Sequence, residues 1–346
     1  MAAKSILDMT ARELGLYMKK HGYPEYRSKQ VFDWIYKGTA SFEDMKNLPQ
    51  QLIGLLNENF ITGIPRIVKK KASSIDGTEK FLVGFHDGSM VECVYLIYKH
   101  GRTVCVSSQV GCRMGCSFCA STRGGLVRNL SSGEMTGQVL AVQRDTKTRI
   151  SNIVIMGSGE PLDNFENTLR FIRQVSSREG LNIGLRGITV STCGLVPEMK
   201  RLAEERLPIT LSISLHAACD KTRMRLMPAA KKYKINEIIE CCRCYIERTG
   251  RRITFEYALI EGINNRPEDA VKLSALLKGM LCNVNLIPVN PVGGTGYKQP
   301  GPDNVKRFKD ILQKRGISVT IRREMGRDIA GACGQLRAGY INGKKL

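Results

Sequence analysis

Cys112-Arg113-Met114-Gly115-Cys116-Ser117-Phe118-Cys119 sets three thiols at the spacing C-x3-C-x2-C, with Gly111 and Gly115 each preceding a cysteine. With 12 Cys in 346 residues, random spacing would yield such a trio in about one chain in seventy. Thiolates crowded into one short loop repel each other unless a cation binds them, so a metal or cluster is the better reading. Structural zinc takes a closed set of four Cys or His ligands. Here there are three cysteines, and the four histidines (His21, His86, His100 and His216) lie elsewhere in the sequence. An iron–sulfur cube can be held by three cysteines, with its fourth iron left for another ligand.

This stretch resembles the signature of the radical S-adenosylmethionine (SAM) enzymes. That resemblance implies a [4Fe–4S] cluster on Cys112, Cys116 and Cys119, with SAM on the open iron as source of a 5′-deoxyadenosyl radical.

Composition narrows the partners. The formal charge is +21, and residues 1–60 hold 8 Lys and Arg against 7 Asp and Glu, which leaves +20 in residues 61–346. Such a basic segment favours a polyanionic partner. Twelve cysteines do not imply a disulfide scaffold, because such scaffolds are short and secreted. The start, Met1-Ala2-Ala3-Lys4-Ser5-Ile6-Leu7-Asp8, lacks a signal peptide's apolar core, and no apolar run is long enough to span a membrane. The expected compartment is the reducing cytoplasm.

Residues 1–60 read as a small helical accessory domain. Thr10-Ala11-Arg12-Glu13 fits a capping box, Tyr26–Tyr36 a second helix, and the segment after Pro49 a third. From 61 to 102 the period becomes strand-like, with Asp76-Gly77 and Asp87-Gly88 as hairpin turns, which predicts a β-ribbon linker. Lys69-Lys70-Lys71 on that ribbon reads equally as a solvated run or an RNA contact. From 103 to 322 apolar strands alternate with helices. Six βα units predict a parallel sheet curled into a partial (β/α)6 barrel, with function at the C-terminal strand ends. The turns Gly157-Ser158-Gly159-Glu160, Ser191-Thr192-Cys193-Gly194, Ser214-Leu215-His216 and Asn290-Pro291 fall on that rim, and Glu160 could accept from an ammonium. Residues 323–346 form a tail in which Cys333 lies between Ala332 and Gly334, an approachable setting for a thiol. Cys241, Cys242 and Cys244 share one helix and cannot all reach one metal. They read as core, as do Cys93, Cys193, Cys219 and Cys282.

The resemblance then becomes specific. Glu92-Cys93-Val94-Tyr95, Cys105–Cys112, Gly157–Leu162, Ser214-Leu215-His216, Asn285–Pro291 and Asp328–Leu336 are similar to RlmN-type dual-specificity RNA methyltransferases. Similarity runs from Tyr26-Arg27 to Arg337. One departure is Ala330-Gly331, where that family reads D-I-D-A-A-C-G. The resemblance implies methylation of C2 of an adenosine in 23S rRNA and of one in the tRNA anticodon loop. It implies SAM contacts from Gly159, Glu160, Ser191, Ser214, Leu215, His216 and Asn290. It also implies Cys333 as methyl carrier, Cys105 as resolving cysteine and Glu92 as acid/base. In that scheme one SAM methylates Cys333 and a second activates the S-methyl carbon. The carbon joins C2, and Cys105 frees the product by forming a disulfide with Cys333. A low-potential donor such as flavodoxin or ferredoxin would reduce the cluster, and the enzyme would work as a monomer.

Two other readings stay open at this point. One is a Cfr-type enzyme acting at C8 of the same rRNA adenosine, against which Pro161 and Arg323-Glu324 weigh. The other is a non-catalytic RNA-binding protein with a structural metal, which leaves Cys105 and Cys333 unexplained.

Overall fold

The computed structural model describes residues 4–289 and 296–329. The chain opens with β1 (Lys4–Ser5), α1 (Ala11–Lys20), α2 (Tyr26–Tyr36), α3 (Gln50–Asn59) and β2 (Phe60–Ile61). Thr10 and Glu13 form the expected reciprocal cap on α1, and β1 pairs with β2 in parallel. Leu14, Met18, Val31, Phe32, Ile35, Leu52 and Leu56 make a separate small core.

The main sheet starts with β3 (Arg66–Ala72), β4 (Glu79–Gly84), β5 (Met90–Tyr98) and β6 (Gly101–Val106). These four are antiparallel neighbours. The ribbon between residues 61 and 102 is therefore hydrogen-bonded into the sheet it leads to. After β6 come β7 (Gln109–Gly111) and β8 (Leu126–Asn129), which among the described residues pair only with each other and bracket the cysteine loop. Neither was legible in the sequence, because three or four residues are too few to show a period.

The βα repeat follows as α4 (Ser132–Thr146), β9 (Asn152–Ile155), α5 (Phe165–Ser176), β10 (Ile188–Thr192), α6 (Val196–Glu204) and β11 (Thr210–Ser214). It continues through α7 (Asp220–Leu226), α8 (Ile235–Thr249), β12 (Ile253–Leu259), α9 (Pro267–Leu277), β13 (Cys282–Pro288), α10 (Pro302–Lys314) and β14 (Ser318–Ile321). Strands β6 and β9–β14 run parallel in sequence order, and among the described residues the sheet stays open, with β14 at one edge and β3 at the other. Val104, Val106, Ile153, Ile155, Val190, Leu211, Ile213, Phe255 and Val284 face the helices and build the large core. Alternation sends the intervening residues to the other face.

The small unit is joined to this frame through α4. Asp8 Oδ1 accepts from the Gly133 amide at 2.7 Å, and Leu140 joins the small core. Gly133 and Gly137 allow the approach, since a Cβ at Gly137 would run into the Gly63 carbonyl oxygen. In an exposed helix Gly→Ala would stabilise by about 1 kcal/mol, whereas overpacking destabilises by about 1–3 kcal/mol. Gly137→Ala is therefore expected to lower the melting temperature. A higher one would show that this interface yields without cost.

Candidate active site

The inner face of the sheet and its C-terminal rim hold the polar residues. The turn after β6 is stitched to the turn after β9. Ser158 O accepts from the amides of Ser108 (2.9 Å) and Gln109 (3.1 Å), and Ser107 Oγ accepts from the Ser158 amide at 2.9 Å. Gln109 Oε1 accepts from the Glu160 amide, while its Nε2 donates to Asn129 and Asp163. Gly157 and Gly159 permit this contact, because a Cβ at either would meet Ser107, or Ser108 and Gln109, at under 3 Å.

The cysteine loop leaves from this stitched base. Gly111, at φ +81°, has no room for a side chain against the Gly125 carbonyl. The Cys112 amide donates to Gly125 O at 3.0 Å, and Ser117 donates from its amide and hydroxyl to Leu226 O. Burial, with neighbouring Glu160, Cys119 and Asp163 adding to it, pushes the Cys112 thiol up to about 12. Burial first, then Cys119 and Cys112, likewise pushes Cys116 up. Cys119 thus opposes ionisation of Cys112 and Cys116, and Cys112 that of Cys116, which fits a cationic cluster that would stabilise the thiolates. Among the described residues no three His, Cys, Asp or Glu side chains gather around one ion-sized point. A cube does not need that, because each thiolate binds a separate iron.

The rim residues divide by where their side chains go. Glu160 is buried, and its carboxylate accepts from the amides of Leu162 (3.1 Å) and Cys193 (2.7 Å). It thereby ties the turn after β9 to the turn after β10. Burial pushes its carboxyl up against these hydrogen bonds, so a cation alongside would favour the charged form. That chemistry suits a SAM ammonium. Ser191 and Ser214 sit half-buried at the ends of β10 and β11. Leu215 sends its side chain into the core and leaves only its backbone at the rim. His216 takes a left-handed backbone, φ +55°, and packs edge-on to Phe118 of the cysteine loop at 4.8 Å. Its Nδ1 accepts from the Ala258 amide at 2.9 Å, and burial, with Arg223 nearby, brings it down to about 3. The ring is thus neutral and keeps an Nε2–H to donate. Asn290 lies outside the described residues.

Glu92 and Cys105 share the inner face. Val94 pairs with Cys105 in register, and Cys105 clusters with Val94, Leu96, Val154, Met156 and Met325. Glu92, two residues before Val94 on β5, forms a buried ion pair with Lys80 at 3.0 Å, their side chains 4% and 0% exposed. Cys333 lies outside the described residues.

Three buried groups escaped the sequence reading. Lys80 interrupts the apolar strand Glu79–Gly84, which was the available signal. Arg223 is wholly buried and donates to the carbonyls of Cys193, Leu215, Tyr233 and Ser214. Glu256 accepts from Ser212 at 2.9 Å and Asn285 at 2.8 Å, across three strands. Cys193, read as core, is buried but also supplies the amide that holds Glu160. Removing one partner of a buried pair destabilises by about 3–5 kcal/mol, since the other charge stays buried. Lys80→Met should therefore depress the melting temperature strongly, and Lys80→Met/Glu92→Met should recover most of it. Equal melting of Lys80→Met and the parent protein would rule out the pair.

Comparison with known proteins agrees with this geometry. Residues 106–274 match the Radical SAM superfamily, and residues 4–61 match the ribosomal RNA large subunit methyltransferase N-terminal domain. A probable dual-specificity RNA methyltransferase RlmN of Clostridium acetobutylicum is 55% identical over 98% of this chain and 98% of its own. One from Clostridium perfringens is 53% identical over 99% of both. The crystal structure of a radical SAM methyltransferase from Sphaerobacter thermophilus superposes with a TM-score of 0.92 at 43% identity, covering 96% of this chain and 98% of that one. With likeness along nearly its whole length, this chain belongs to the RlmN-type dual-specificity RNA methyltransferases of the radical SAM superfamily.

Proposed function

We propose that the enzyme methylates C2 of an adenosine in 23S rRNA and of an adenosine in the tRNA anticodon loop, through Cys333 as methyl carrier and Cys105 as resolving thiol. One observation carries this reading: Cys105 lies on the inner face in the cluster that also holds Met325, eight residues ahead of Cys333. Met325 thus brings the chain that leads to Cys333 up to Cys105, which supports reading the two thiols as partners.

Cys112, Cys116 and Cys119 would hold the cluster. Gly159, Glu160, Ser191, Ser214, His216, Asn290 and the Leu215 backbone would hold SAM. When bound, these groups supply the methyl and the means of activating it by hydrogen abstraction. Cys333 accepts the methyl on sulfur, and its activated carbon bonds to C2 of the adenine. Cys105 takes the C2 proton; as its sulfur then bonds to the Cys333 sulfur, the bond from that sulfur to the transferred carbon breaks, the carbon takes up a proton to become the methyl, and one electron and one proton leave. Glu92, held by Lys80, serves as the acid/base group beside them. Chemistry of this kind needs placement and exclusion of water more than polar catalysis.

Residues 1–60 act as an accessory domain, 61–102 as the ribbon, 103–322 as the catalytic barrel and 323–346 as the thiol-bearing tail. Among the described residues no helix is long and apolar enough to cross a membrane. The reading places the enzyme in the cytoplasm as a monomer, reduced by a flavodoxin- or ferredoxin-like donor, with its basic surface against RNA phosphates.

Mass spectrometry of digested RNA should find 2-methyladenosine. The C8 isomer as sole product would reject the C2 assignment in favour of a Cfr-type reaction.

Cys105→Ala and Cys333→Ala should both stop turnover, but by different routes. Cys105→Ala should accumulate a covalent RNA–protein species on denaturing gels, while Cys333→Ala and the double variant should not. Turnover retained in Cys333→Ala would sink the mechanism.

A further inference from the structure

The last described segment, Arg322–Ile329, leaves β14 at one edge of the sheet and reaches the hairpin turn between β3 and β4 at the other edge. At its start the Arg322 amide donates to Leu286 O at 2.8 Å. In the middle Met325 packs into the Cys105 cluster. At its end the hairpin turn receives it. The Gly326 amide donates to Asp76 Oδ2 at 2.9 Å. Asp328 accepts from Ser73 Oγ at 2.6 Å, from the Ser74 amide at 2.9 Å and from Ser74 Oγ at 3.2 Å. Gly326 has φ +62°, and a Cβ there would lie 3.0 Å from both Ile329 and Thr78.

We propose that the turn Ser73–Thr78 is a dock that straps the C-terminal segment across the open sheet and so sets how often Cys333 meets Cys105. Asp76 and Asp328 are then positioning residues. This deepens, and rests on, the two-thiol reading above.

The geometry gives the dock a measurable consequence. Cys333 follows docked Ile329 by four residues, a reach of at most about 14 Å. Undocked, it would follow Ile321 of β14 by twelve. Effective concentration falls as roughly the −3/2 power of tether length, so undocking should lower it about fivefold. The reciprocal hydrogen bonds account for the choice of residues. Asp76 takes a backbone amide from the tail, and Asp328 takes one from the turn, so each side supplies one carboxylate and one amide.

The test is a thiol–disulfide equilibrium on the cluster-loaded protein under anaerobic conditions, across ratios of oxidised to reduced glutathione. Each Cys105–Cys333 disulfide formed reduces one oxidised glutathione to two thiols, and peptide mass spectrometry counts that linkage. Asp76→Ala/Asp328→Ala should lower the equilibrium constant about fivefold, with little change in melting temperature. Asp76→Asn/Asp328→Asn, which keeps an acceptor oxygen on each side, should recover part of the loss. Amide hydrogen exchange at Ser74 and Gly326 should speed up in the alanine variant. An unchanged equilibrium constant in the alanine variant would overturn the dock while leaving the two-thiol reading intact. Absence of the linkage in the parent protein at every ratio would instead overturn the two-thiol reading, and the dock's purpose with it.

Discussion

A parallel sheet ends in backbone groups that the next residue of its own ladder no longer satisfies, and a site built at those ends must still pair them. Here buried side chains do so by bridging from one strand end to another. Gln109 takes the Glu160 amide, Glu160 takes the Cys193 amide, and Arg223 takes the carbonyls of Cys193 and Leu215. Asn164 donates to Ser108 O and Leu130 O. Each bond joins two turns of the rim, so the rim is a continuous network. The cysteine loop, the glycine turn and His216 keep their places because this network does.

The same groups set the electrostatics. Arg223 is the buried cation nearest the rim, and its charge acts on His216, Cys193 and Cys116. It opposes protonation of His216 and favours the thiolate of Cys116. Burial works in the opposite direction on the thiols, pushing Cys112 and Cys116 up. The loop is thus unfavourable for bare thiolates and suits a cation that would stabilise them. Burial likewise disfavours the charged form of Glu160 unless a cation lies beside it.

The inner face of the sheet carries a second layer of polar pairs. Lys80–Glu92 lies toward the β3 edge, and Ser212–Glu256–Asn285 spans β11 to β13. An open sheet exposes such a face unless something crosses it. The segment after β14 does cross, with Met325 over Cys105 and Asp328 on the far hairpin. In this way the strand that ends the repeat also returns the chain to the strands that began the sheet.

What the sequence determined by itself was whatever depends on near neighbours. C-x3-C-x2-C is legible because its eight residues form one loop. The βα alternation shows because each strand and helix carries its own period, and the Thr10–Glu13 cap because it closes over three residues. The rim turns were legible as polar interruptions at strand ends, and likeness to a family supplied their roles. Tertiary structure alone decided the partners. Lys80 in an apolar strand reads as an oddity until Glu92 on the adjacent strand neutralises it. Arg223 reads as one more surface cation, yet among the described residues it is the largest fully buried side chain. Glu160 was assigned to a ligand and proves also to bind Cys193, a residue 33 positions away. Asp76 reads as an ordinary hairpin residue, and its partner Gly326 lies 250 positions on. These bonds join residues whose proximity is created by strand order, and strand order is a property of the folded sheet that no local spacing records.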